Sequence, residues 1–242
     1  MIEIGHVREL YRYPVKSMAS VVLDSALLGW YGLEGDRRFA FRRMNDNNGF
    51  PWLTASRLPR LIRYQPFGQE AGAKEPLPTM VRTPEGRKVP LRSEELRAEI
   101  ATPFGSPVEL MNLKHGIFDA ATVSLIAAAT ISGMQPYTES ILDSRRFRPN
   151  IVFDTNEKQP FGENCRVGGT VIFGDVLSSA AIKITIPDER CMMINLDPDS
   201  AKQDVTVMKA VVRLNQNNAG VYGTVMREGA IAVGQRVSLL IN

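Results

Sequence analysis

The sequence predicts a mainly β protein of barrel-like architecture with a few short helices. Three observations lead there. Alternating apolar and polar residues dominate the 242-residue chain, the candidate strands are short and separated by turn residues, and only two segments carry a helical pattern. With 44% hydrophobic and 23% charged residues the chain has enough apolar material for a packed core, so wholesale disorder is not expected.

The first strand spans Ile2 to Tyr13, with Ile4, Val7 and Leu10 among its apolar positions. Val21–Leu28, Arg38–Arg43 and Leu61–Tyr64 continue the pattern, broken by the turn residues Gly35-Asp36 and Asn47-Asn48-Gly49. From Gln65 to Pro78 the composition shifts to Pro, Gly, Gln and Glu, which reads as an exposed loop. Two short strands flank Pro84-Glu85-Gly86. The stretch Thr122–Ser132 is rich in Ala, Leu and Ile and ends before Gly133, so it reads as a helix. Strands resume at Ile151–Phe153, Thr170–Phe173 and Val176–Ile186, the last two joined through Gly174-Asp175. Asp204–Leu214 is the second helix, with Val205, Met208, Val211 and Val212 at helical spacing. The tail Gly220–Ile241 alternates as two strands around Glu228-Gly229. A division near Leu113 separates a smaller N-terminal β domain, residues 1–112, from a β-barrel domain, residues 113–242.

Composition also excludes several classes of function. The net charge of +3, with acidic and basic residues interleaved, gives no footprint for nucleic acid. No apolar run approaches the roughly 18 residues a membrane span needs. The N-terminus has no basic region leading into an apolar segment, so no secretory signal is visible. Two cysteines without C-x-x-C spacing form neither a multi-bridge disulfide framework nor a zinc site; a cytoplasmic, reducing location is the expectation, with a single Cys165–Cys191 disulfide as the alternative.

Four clusters could carry chemistry. Cys191 follows a strand end and a charged turn, with Arg190 beside it. A cationic neighbour favours the thiolate, the form that binds metals, and a single thiolate suits a soft centre whose other ligands come from a cofactor. Cys165 also has an adjacent arginine, so local chemistry does not choose between them. Lys16 and Ser17, in Tyr-Pro-Val-Lys-Ser, offer an ammonium and a hydroxyl where a strand meets a turn, suited to a phosphate or equally to a solvated turn. Arg37 and Arg38 should face opposite sides if they open a strand, so one of them serves a given pocket. Arg148 precedes a proline that should keep it extended, and Asn150 opens a strand. If they converge, Lys16, Arg37 or Arg38, and Arg148 supply three cations for a dianionic phosphate.

Seven segments in order carry a resemblance: YPVKS, GLEGDRRF, TASRLPRL, FDAATVSLI, RRFRPNIVF, Arg190-Cys191 ahead of Asp197-Pro198, and GVYGTVMREGAIAVGQRVSLL. Over essentially its whole length the chain resembles the MOSC family with its N-terminal β-barrel domain. That group includes the mitochondrial amidoxime-reducing components and the C-terminal domain of molybdenum cofactor sulfurases. The resemblance implies a molybdenum-molybdopterin cofactor whose metal Cys191 ligates as the central catalytic residue. It implies that Lys16, Ser17, Arg37 and Arg148 hold the pterin and its phosphate, with Asn150, Arg190 and Tyr222 near the same site. Ser124, at the start of the first helix, falls where the family sets a helix N-terminus against the cofactor. Cys165 matches no such position. Ser20, Thr122, Ala201 and Gln235 depart from the usual Gly, Pro, Gly and Asp.

The activity implied is reduction of N-hydroxylated small molecules, with electrons from a separate transfer protein. A sulfur carrier using a Cys191 persulfide and a non-catalytic cofactor carrier are the alternatives. His115 is a candidate proton donor or a structural residue.

Overall fold

The structure, a computed structural model, describes residues 1–46 and 49–240; part of the expected Asn47-Asn48-Gly49 turn and Ile241 at the end of the tail lie outside them. The chain is mostly strand, with three short α-helices among the described residues. Strand β1 (Ile2–Arg12) is followed by β2 (Val21–Leu23), β3 (Ser25–Gly29), β4 (Gly32–Leu33), β5 (Phe39–Arg43), β6 (Gln65–Phe67), β7 (Met80–Arg82) and β8 (Lys88–Pro90). Helix α1 (Glu94–Phe104) and β9 (Val108–Asn112) close this half. Then come β10 (Val123–Ala127), α2 (Ala128–Met134), β11 (Ile151–Thr155), β12 (Thr170–Phe173), β13 (Ala180–Glu189) and α3 (Val205–Asn215). The tail forms β14 (Asn218–Arg227), β15 (Gly229–Ala232) and β16 (Arg236–Leu240), three strands where alternation alone suggests two.

Seven strands close into a barrel in the order β11-β10-β14-β13-β12-β16-β1, with β1 pairing back to β11. Closure leaves these strands no free edge. The first strand of the chain therefore completes the C-terminal barrel, between β16 and β11. Its apolar positions Ile4, Val7 and Leu10 are all buried although they are three apart. Bulges account for this: the register shifts between Glu3 and Gly5 against β16, and between Val7 and Glu9 against β11. Gly5 has a positive φ, and a Cβ there would overlap the carbonyl oxygen of Asp154. The barrel interior is filled by Leu10, Leu125, Ile151, Phe153, Ile182, Ile184, Val221 and Val237, each contributing about 1.5–3 kcal/mol by leaving water.

A second core fills the N-terminal half, where Phe39, Phe41, Leu53, Leu61, Val81, Leu96 and Ile100 pack together. Strands β5 and β9 pair antiparallel, and β6, β7 and β8 form a meander. Leu61 belongs to a 3-10 turn over Pro59–Arg63 instead of the expected strand, and β6 begins the segment expected as loop. Helix α1 has no counterpart in the sequence reading, although its signals are ordinary. Ser93 accepts from the Leu96 N–H as N-cap, Glu94 and Glu95 open the first turn, and Gly105 ends it in the left-handed conformation.

The expected helix over Thr122–Ser132 divides. Val123–Ala127 is a strand buried at every position, parallel to β11 and antiparallel to β14, and only Ala128 onward is helical. A run buried on both faces shows no alternation, so periodicity cannot separate it from a buried helix. Ser124 is consequently a mid-strand residue opposite Tyr222, and the expectation that it opens a helix is corrected.

Candidate functional site

At one end of the barrel, against the N-terminal core, lies a cavity of ≈ 390 Å³. Its walls come from chain segments that leave or enter strands. Lys16 and Ser17 follow β1, Arg37 precedes β5, Arg148 precedes β11, and Arg190 and Cys191 follow β13. Tyr222 projects from β14, while Phe50, Thr54 and Ser56 line the N-terminal side. Seven of the nine residues singled out in the sequence thus share one cavity, and the other two, Ser124 and Asn150, are buried.

Three of the lining residues have unusual backbones. Ser17, Arg37 and Arg148 have φ of 67, 51 and 50 degrees, in the left-handed region that side chains with a Cβ disfavour. Such strain costs about 1–3 kcal/mol per residue and persists where the surroundings over-determine it. Arg148 was expected to be extended before Pro149. Instead it ends the 3-10 turn Ser144–Phe147, and its Nη1 donates to the Met18 carbonyl at 2.7 Å. Its guanidinium lies 4.2 Å from the Tyr13 ring centre, and that of Arg37 lies 5.1 Å from the same ring. One tyrosine therefore carries two cations. Arg38 turns away to Glu75.

The charges are held by a small set of partners. Arg37 is ion-paired with buried Asp36 and also donates to the Arg148 carbonyl at 3.1 Å. Burial opposes the Arg37 charge, but Asp36 outweighs it and the pKa is raised. Burial, with Arg37 close by, brings Arg148 down to about 10. Lys16 is only 6% exposed, and its Nζ donates to Asp119 Oδ1 at 2.7 Å. Burial lowers the lysine pKa, and Asp119 holds it partly up. Burial also pushes on the Asp119 carboxyl, but Lys16, Arg37 and Arg148 overcome it and hold that pKa below the usual range. The Asp119 side chain is 61% exposed, so an anion entering the cavity could take its place on Lys16 without opening the core.

Beneath the cavity a buried polar layer joins the strands. Asn150 Oδ1 accepts from the Ser124 N–H at 3.1 Å, and Asn150 Nδ2 donates to the Tyr11 carbonyl at 3.3 Å. Ser124 Oγ donates to Asp188 at 2.9 Å. Asp188 in turn pairs with Arg190, whose guanidinium also donates to the Phe147 carbonyl. Burial pushes the Asp188 carboxyl up, with Arg190 opposing. Burial and the nearby Asp188 push the Tyr222 hydroxyl up to about 12, so it stays protonated at neutral pH. Arg190 therefore braces the segment before Cys191 and is spent on protein partners. Cys191 itself is exposed.

Sequence reasoning missed Asp119, Asp188, Thr54, Ser56 and Phe50. Asp119 lies within the FDAATVSLI segment and Thr54 and Ser56 within TASRLPRL, so polar residues inside two of the resemblance-bearing segments are the signal for them. Cys165 lies in the 3-10 turn Gly162–Arg166, exposed and outside the cavity. His115 stacks on Tyr31, 4.1 Å between ring centres, and does not line the cavity either.

The MOSC domain model matches residues 112–238, and the MOSC N-terminal beta barrel domain model matches residues 4–101. The chain belongs to the MOSC family. MOSC domains are associated with molybdenum-cofactor proteins. No curated protein matches the chain by sequence. Among solved structures, this MOSC protein is similar to the YuaD protein from Bacillus subtilis, at 14% identity and a TM-score of 0.49 over 98% of this chain and 95% of that one. It is also similar to YiiM from Escherichia coli, at 15% identity and a TM-score of 0.36 over 50% of this chain and 55% of that one. No helix among the described residues is long and apolar enough to cross a membrane.

Proposed function

We propose that this MOSC protein is an oxidoreductase that binds a molybdenum-pterin cofactor and reduces N-hydroxylated small molecules, with electrons from a separate protein. One observation carries the reading: an exposed thiol, Cys191, borders the same cavity as Lys16, Arg37 and Arg148. The donor set fits such a group. Among the described residues no cluster of three or more His, Cys, Asp and Glu could hold a metal by itself. A metal at Cys191 would thus need further ligands from a cofactor, and an anionic cofactor needs cations to anchor it. Lys16, Arg37 and Arg148 would hold its phosphate, Ser17 would add a hydroxyl donor, and Cys191 would ligate the metal.

When bound, the cofactor supplies two-electron redox chemistry, so that an N–OH group, two electrons and two protons yield N–H and water. The chain's own part is to bind, orient and shield. The arginines over Tyr13 fix the anion, the Ser124–Asp188–Arg190 network sets the thiol's position, and the Phe50 side covers Lys16, whose Nζ lies 5.5 Å from that ring centre.

The test is metal and pterin analysis of protein made in a cofactor-producing host, followed by turnover of an aromatic amidoxime with a chemical reductant. The expected result is one molybdenum per chain and amidine formation. Stoichiometric persulfide with neither metal nor pterin would overturn the reading.

A further inference from the structure

A different cavity has a volume of ≈ 580 Å³. It opens between the β6–β7–β8 meander, the segment after β1, and the turn at Pro198-Asp199. Arg148 and Tyr13 border it, so its inner end lies near the cation pair already described, but neither Cys191 nor Lys16 does. Arg63 and Arg82 line it from the meander side. Neither they nor Arg148 has a carboxylate within salt-bridge distance among the described residues, whereas Arg145 in the same wall is consumed by Asp143 and Asp199.

Guanidinium groups without carboxylate partners around one cavity repel each other. A ligand that accepts several hydrogen bonds and carries negative charge removes that repulsion. Phosphate does this better than carboxylate, because a tetrahedral dianion offers more acceptor oxygens to forked donors arranged around it. The volume exceeds that of a bare phosphate, and Ile62, Pro66 and Phe67 supply apolar surface for an organic portion. We propose that this second cavity binds a phosphate-bearing small organic molecule, through Arg63 and Arg82 on the meander side, with Arg148 adding positive charge at the inner end.

The experiment is calorimetric titration of the full chain, without cofactor, using phenyl phosphate and inorganic phosphate as probes. Phenyl phosphate should bind more tightly than inorganic phosphate at a site that the double substitution Arg63→Ser, Arg82→Ser weakens by about tenfold or more. Lys16→Ser should leave that site unchanged. Binding that is lost with Lys16→Ser and untouched by the meander substitutions would overturn this second site while leaving the cofactor reading standing. Equal affinity for the two probes would overturn the organic ligand. Molybdenum content of the Cys191→Ala protein tests the cofactor reading independently of either outcome.

Discussion

The surroundings of Cys165 and Cys191 look alike in the sequence and differ completely in the fold. Each thiol is exposed, each has an arginine next to it, and each lies in or next to a 3-10 turn. At Cys165 the neighbouring Arg166 turns back on its own loop, donating to the Gly162 carbonyl at 3.0 Å. At Cys191 the neighbouring Arg190 is tied to Asp188 and Phe147, and other cations of the same cavity come from residues over 40 positions away, Lys16, Arg37 and Arg148. The difference teaches that an adjacent cation does not by itself put a thiol at a cation-lined cavity. What differs is whether the barrel end brings other cations to it, since the adjacent arginine is engaged in both cases.

The sharpest way to break this comparison is to remove each thiol. Cys191→Ala should lose nearly all bound molybdenum with an unchanged circular dichroism spectrum, and Cys165→Ala should keep it. Equal metal content in the two variants would sink the assignment.

Next come the arginines. Arg148→Ala removes a charged donor and the stack on Tyr13, and should reduce pterin retention by about 10–100-fold. Arg166→Ala, its counterpart beside Cys165, should leave retention as it was. Retention after gel filtration measures both.

A smaller effect sharpens the electrostatics. The Asp119 pKa is depressed in the fold, so its contribution to stability is present above the ordinary value of 3.8 and is lost as pH falls through the lower folded value. At neutral pH the carboxylate therefore competes with any anion for Lys16. Asp119→Asn should raise affinity for pyrophosphate by about threefold to tenfold at pH 7, and the advantage over wild type should shrink in strong acid. A decrease at pH 7 would show that Asp119 orients Lys16 instead of competing for it.

The smallest effect concerns backbone strain. Ser17→Gly relieves a positive φ and should raise stability by about 1 kcal/mol, read as a melting temperature higher by about 2–4 °C, while anion affinity falls with the lost hydroxyl. A lower melting temperature would mean that contacts of the serine outweigh the strain. One departure from the family pattern fits the same logic. Ala201 stands where glycine is common, and its φ is 60 degrees.

Much of the strand pattern was legible because half-buried strands alternate: β1, β5, β11 and β12 lie close to their expected positions. Helix α3 was legible from Val205, Met208, Val211 and Val212 at helical spacing, although the helix buries Val207, Ala210 and Val211 and leaves Val205 and Val212 exposed; Asp204 caps it through the Thr206 N–H. Where burial is two-sided the pattern vanishes, and Val123–Ala127 was misread for that reason. Arg148 was misread because the pre-proline preference is local, whereas its hydrogen bond to Met18 and its stack on Tyr13 are not.

What the sequence by itself determined is the strand-rich composition, the family motifs in their order, and the residue types able to meet an anion and a soft metal. Only the tertiary structure decided that Lys16, Arg37, Arg148 and Cys191 border one cavity, that Ser124 and Asn150 lie beneath it, and that Lys16 is already paired with Asp119. The physical reason is that alternation and propensity act over a few neighbouring residues. Convergence depends on closing the barrel, where β1 at the start of the chain pairs with β16 at its end and with β11 from its middle.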